Sequence, residues 1–174
     1  MKYRILFVFL EGPDDKRLFQ RLFQAKFEKR YSKVVPVEYA EKPKDDLGRL
    51  IKAALSGNHD YIFLTDINAS PCVSDKKEKL RQRRPYLAAD RIAVVQAEIE
   101  SWYLAGLDRS SCKSLRLKQL TSTDTITKEQ FDEMRHGNRL SRTAYLSSIL
   151  DGFSIKVAKS KNRSFRYFAA KYHL

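Results

Sequence analysis

Three largely apolar runs constrain this chain more than anything else in it. Tyr3–Leu10, Tyr61–Thr65 and Ile92–Val95 carry little of the polar alternation that a strand with one wet face would show. Such runs belong to strands covered on both faces, which is the habit of parallel sheets. A fourth run, Val34–Tyr39, contains Pro36, which cannot donate to a sheet ladder, and it is therefore expected at an edge. Helical stripes lie between the runs. Leu18, Phe19, Leu22, Phe23 and Phe27 form one, and Leu47, Leu50, Ile51, Ala54 and Leu55 form another. A third, very basic segment is expected to start at Ser74 as its cap, with Glu78 close behind. Alternating strands and helices imply right-handed crossovers. The expected fold is α/β, a Rossmann-like core with a mostly parallel four-stranded sheet flanked by helices, plus C-terminal helices.

Beyond Val95 only helical and loop patterns follow. Ile99, Trp102, Tyr103 and Leu107 repeat at helical spacing. Thr127 with Glu129 and Gln130 has the form of a helix start, and His136-Gly137-Asn138 that of a helix end. A last helix is expected from about Asn162, with Phe165, Phe168, Ala169 and Tyr172 on one face. Residues 1–108 read as the α/β core and 109–174 as a basic helical extension packed on it.

The acids are where the sequence becomes specific. In open parallel sheets ligands collect outside the carboxyl ends of the strands. There the sequence places Glu11 after the first run, Asp66 and Asn68 after the third, and Glu98 and Glu100 after the fourth. Carboxylates brought together raise one another's pKa unless a cation sits among them. Hard oxygen donors of this kind suit Mg²⁺ or Mn²⁺. Each acid also has a plainer role. Asp14 and Asp15 suit a helix N-terminus, with Asp15 still able to lean toward a metal. Asp66 suits a turn, and Glu98 and Glu100 suit a first helical turn. Glu11 has the least to gain structurally, since it directly ends an apolar strand.

Charge points the same way. There are 34 Lys and Arg against 21 Asp and Glu, a net charge of +13. The imbalance is 20 against 16 in residues 1–108 but 14 against 5 in 109–174. An excess of this size favours a polyanionic partner, DNA or RNA, through phosphate neutralisation. Lys76, Lys77, Arg81, Arg83 and Arg84, and later Lys161, Arg163 and Arg166, are the candidate phosphate contacts; a solvated helical face is the plainer reading of the first group. The apolar run Ile5–Leu10 is too short for a bilayer, and Glu11-Gly12-Pro13-Asp14-Asp15 interrupts any signal-peptide core. Cys72 and Cys112 sit in no ligand or disulfide framework, so a reduced, cytoplasmic setting is expected, with no membrane contact. His59, His136 and His173 stand apart, which gives no zinc pattern. Neither a Walker loop nor G-x-G-x-x-G occurs, so no nucleotide cofactor is expected.

Taken together, strand–Glu11-Gly12-x-x-Asp15–helix followed two strands later by Asp66-x-Asn68 resembles the TOPRIM domain of topoisomerases, primases and OLD-type nucleases. VVQAEIESWYLAGLD and KSKNRSFRYF are similar to TOPRIM-fold families of unknown function that carry a Glu-x-Glu-x-Trp helix. The resemblance covers about residues 3–108, with one short motif matched beyond. It implies that Glu11 is a general acid/base or metal ligand and that Asp66 binds Mg²⁺. The second acid of the family's Asp-x-Asp pair falls on Asn68, an amide that offers oxygen but no charge. Glu98 or Glu100 is placed to supply what Asn68 lacks, by position rather than by motif. The activity implied is metal-assisted phosphodiester chemistry, that of a nuclease or a related phosphotransfer enzyme, alone or beside a partner protein. A catalytically weak or inactive nucleic-acid-binding adaptor on the same fold is the alternative that Asn68 raises. A receiver-like phosphoacceptor fits less well, because Asp14 and Asp15 follow a Gly-Pro corner instead of ending the strand.

Overall fold

The computed structural model describes residues 3–174, apart from the side chain of Lys44. The chain forms two compact units, Met1–Val94 and Val95–Leu174. The division falls before the Trp102 helix, which the sequence had joined to the strands; that helix packs with the helices that follow it.

In the first unit, β1 (Ile5–Leu10), β2 (Lys33–Glu38), β3 (Asp60–Asp66) and β4 (Ile92–Val95) form one parallel sheet in the order β2-β1-β3-β4. The expected α/β architecture is present, and Pro36 lies in the edge strand β2. β1, at the centre, pairs parallel with β2 on one side and β3 on the other. Every residue of β3 from Asp60 to Thr65 is buried, which is why that run shows no alternation.

The first helix comprises α1 (Pro13–Phe19), a π-helical turn (Gln20–Gln24) and α2 (Ala25–Glu28). Phe19, Phe23 and Phe27 are spaced by four, whereas an α-helix turns once per 3.6 residues, so their stripe would drift around a regular helix. A wider π turn cancels that drift. All three rings are buried, and Phe19 stacks on Phe27 with centroids 5.7 Å apart. α3 (Lys44–Ser56) buries Leu47, Ile51 and Ala54 but leaves Leu50 and Leu55 exposed, so its stripe is narrower than the sequence implied. α4 (Val73–Arg83) starts at Cys72, not at Ser74: the Cys72 sulfur accepts the Asp75 N–H at 3.5 Å.

At the amino end of the sheet one buried acid ties several strands together. Asp60 opens β3 and accepts from Tyr31 Oη at 2.8 Å, from Arg91 Nη1 at 3.0 Å and from the Arg4 guanidinium. Arg4 immediately precedes β1 and Arg91 immediately precedes β4.

The second unit contains α5 (Ile99–Ala105), α6 (Arg109–Ser114), α7 (Lys128–Arg135), α8 (Arg142–Asp151), α9 (Ile155–Lys161) and α10 (Arg163–Tyr172). Trp102 sits at its centre, with ring centroids 5.2 Å from both Phe165 and Phe168. Its indole N–H donates to Ser164 Oγ at 2.8 Å, while Asn162 Nδ2 donates to Ser101 and Thr123. The Glu-x-Glu-x-Trp helix and the KSKNRSFRYF stretch are thus two halves of one packed, hydrogen-bonded core. Gly106 is needed there, since a Cβ at that position would fall 2.3 Å from the Phe153 ring. Among the described residues, no helix is long and apolar enough to cross a membrane.

Candidate functional site

Parallel pairing puts the ends of β1 and β3 at one edge. Phe9 is in register with Phe63, and continuing that register sets Glu11 opposite Thr65, the residue before Asp66. Both acids are half-buried. Tyr39, just past the end of β2, joins the two strands: its hydroxyl donates to the Leu64 carbonyl at 3.1 Å and lies 3.4 Å from Glu11 Oε2. Burial, reinforced by the negative charge of Glu11, holds the Tyr39 phenol in its protonated form far above its ordinary range. Its ring stacks on Phe63 with centroids 4.5 Å apart.

Lys76 completes this arrangement. It lies in the first turns of α4, is 9% exposed, and its ammonium is within electrostatic reach of both Glu11 and Asp66. Burial lowers its pKa, and the two carboxylates oppose that shift. The anionic edge therefore carries a cation supplied by the fold. Lys76, one of the candidate phosphate contacts, is thus buried within electrostatic reach of the acids and not on a fully solvated helical face.

The other expected residues separate into groups. Asp15 is buried, and its Oδ2 accepts the Gly12 N–H at 3.2 Å, closing the start of α1. Asp14 pairs with Arg17, so of the two aspartates it is Asp15 that makes the capping contact. Asn68 takes a left-handed turn conformation with φ of 50° and is exposed. In the second unit, Glu98 accepts the Lys128 N–H and Glu100 forms a buried ion pair with Arg142, which also binds Asp132. Burial raises the Glu100 pKa, against the pull of Arg142. These two acids thus already have partners within their own unit.

The basic residues divide in the same way. Lys161 is buried and donates to the Leu107 carbonyl at 2.5 Å, so it serves the chain and not a surface. Arg81 pairs with Glu78, and Arg163 binds Asp124 through both its backbone N–H and its side chain. Arg84 lies over the Tyr39 and Phe63 rings, 5.7 and 5.6 Å from their centroids. Lys77 is half-exposed, and Arg83 and Arg166 are exposed.

One participant was missed from sequence. Tyr39 looked like the last residue of a strand, and nothing local marks a phenol that reaches across to Glu11. Among the described residues, no three His, Cys, Asp or Glu side chains are grouped to hold a metal ion. The edge offers two carboxylates, and the Asn68 amide follows Asp66 by two residues in the turn beyond β3. That set fits Mg²⁺, which commonly takes one or two protein carboxylates and completes its shell with water and substrate phosphate. Comparison with protein-family models, curated proteins and solved structures returns no match.

Proposed function

We propose that the carboxyl edge of the first unit is a divalent-cation site of the TOPRIM type, and that the protein carries out Mg²⁺- or Mn²⁺-dependent phosphodiester chemistry on nucleic acid in the cytoplasm, alone or beside a partner protein. The observation that carries this reading is the strand register that sets Glu11 beside the Thr65–Asp66 end of β3, with the buried Lys76 in electrostatic reach of both acids. Carboxylates held this way demand positive charge. Glu11, Asp66 and the Asn68 amide oxygen would hold the ion, which when bound supplies Lewis acidity to the phosphate and lowers the pKa of an attacking water. Glu11 is placed to accept a proton, with the Tyr39 hydroxyl 3.4 Å from its Oε2. Lys76 keeps the edge compact and offsets its charge.

A second reading, a nucleic-acid-binding adaptor without catalysis, is favoured by one specific pair of residues. Asn68 brings no charge, and Lys76 already satisfies part of the demand for a cation.

The test is cleavage of single- and double-stranded DNA and RNA with Mg²⁺ or Mn²⁺, beside Mn²⁺ titration calorimetry, on wild type and Glu11→Gln. The enzyme reading expects cleavage that falls by roughly 10²–10⁴-fold in Glu11→Gln, with nucleic-acid affinity retained. Wild type that neither cleaves nor takes up Mn²⁺, but binds nucleic acid in a salt-dependent way, would make the protein an adaptor.

A further inference from the structure

Beside the acidic edge lies a cavity of about 260 Å³ whose walls include Asn68, Ser70, Lys76, Lys79 and Arg83. We infer that this cavity is a phosphate subsite, seating a backbone phosphate of a nucleic-acid strand next to Glu11 and Asp66.

The argument starts from helix periodicity. Lys76, Lys79 and Arg83 fall at i, i+3 and i+7 on α4, which puts three cations along one face. The 67–70 turn lies opposite and contributes the neutral polar side chains of Asn68 and Ser70, its Ser70 N–H closing onto the Ile67 carbonyl at 3.2 Å. Not all three cations are equally committed. Lys79, whose side chain is half-exposed, places its Nζ 2.8 Å from Asp75, and the Ser70 hydroxyl lies near the same carboxylate. Lys76 is shared with Glu11 and Asp66. Among the described residues, no carboxylate pairs with Arg83.

Lys76 is buried and also feels the repulsion of Arg83 and Arg84. Cations crowded in this way are relieved by an anion, just as the neighbouring carboxylates are relieved by a cation. Lys76 belongs to both groups, so an anion held by Arg83, Lys79 and Lys76 would sit against the acidic edge. A phosphate fits better than a carboxylate-bearing peptide. It offers several oxygens to share among the guanidinium, the two ammonium groups and the neutral Asn68 amide. It is also the group that a metal-dependent phosphodiester site must receive. The inference rests on the proposed function for what the phosphate meets there, but the binding itself needs no metal.

The test is fluorescence anisotropy with a labelled single-stranded oligonucleotide, in EDTA, across a salt series. The variants are Lys79→Gln/Arg83→Gln in the pocket, Lys29→Gln/Lys52→Gln as an equal charge change at exposed positions outside it, and Glu11→Gln. The pocket pair is expected to weaken binding roughly tenfold or more and to lower the salt slope by about one, since each phosphate contact contributes about 0.7 to the slope for single strands. The outside pair is expected to stay within about twofold of wild type. Arg83→Lys, with Lys79 intact, should bind better than Arg83→Gln. Glu11→Gln should still bind. Equal losses in the two double variants would overturn the subsite, leaving only diffuse attraction. Displacement of the oligonucleotide by poly-glutamate at equal concentration would overturn it in favour of an acidic protein partner. Mn²⁺ uptake bears on the proposed function alone: if it is absent while the pocket variant still loses affinity, the metal reading falls and the subsite stands.

Discussion

Two pairs of acids follow strands in this chain, and they meet different fates. Glu98 and Glu100 begin a helix in the second unit, where the Lys128 N–H and the Arg142 guanidinium take them up. Glu11 and Asp66 end strands in the first unit, where Lys76 meets both at once and both stay half-buried. One group is taken up by partners within its own unit; the other shares the buried Lys76 at the edge of the sheet. A carboxylate after a strand is therefore an ambiguous sign. What separates a structural acid from a candidate ligand is how completely the rest of the fold answers its charge.

The strongest way to break this contrast is to remove the answering charge from the group in the second unit. Arg142→Met leaves Glu100 buried without its cation. The full chain should lose about 2–3 kcal/mol in urea unfolding, toward the lower end for a buried pair because Arg142 is 26% exposed. A loss near zero would mean that Glu100 is not answered by Arg142. In the other group, Lys76→Met should cost only about 1 kcal/mol, because Glu11 and Asp66 keep some water. The same change should tighten Mn²⁺ binding by roughly tenfold, the expected effect of removing one nearby like charge. Calorimetry on both single variants sharpens the comparison, since Arg142→Met should leave the Mn²⁺ affinity unchanged.

The smallest effect concerns pH. Burial holds the Glu100 pKa above its ordinary 4.5, with Glu98 adding to the shift and Arg142 opposing it. An acid whose folded pKa is raised favours folding while protonated. That contribution is fully present below about pH 4.5 and is lost as pH rises through the folded value. Glu100→Gln removes it. The difference in unfolding free energy between wild type and variant should therefore drift against wild type from pH 4.5 upward, then level off. A difference that does not change with pH would contradict the assigned direction.

Much of the fold was legible in the chain. Continuous apolar runs announced β1, β3 and β4, Pro36 placed β2 at an edge, and Asn162 and Thr127 marked helix starts that their side chains do cap. What was not legible depended on distant partners. No local pattern says that Arg142 will reach Glu100, or that Lys161 will fold inward to the Leu107 carbonyl. The cap of α4 went to Cys72 because a sulfur two residues earlier reached the Asp75 N–H, a weaker and less expected acceptor than the Ser74 hydroxyl. At the candidate site, strand ends predicted where Glu11 and Asp66 would lie. Only tertiary geometry brings Tyr39 and Lys76 to them.

The buried Asp60 has a consequence for how such a protein can change. It fastens β1, β3 and β4 at their starts, while Asp66 sits at the finish of β3, about 20 Å away along a seven-residue strand. Anchorage and candidate chemistry thus occupy opposite poles of the same framework. Loops at the far pole are free to acquire or discard acids and bases without loosening the knot, so a descendant could change what that edge holds and still keep its architecture.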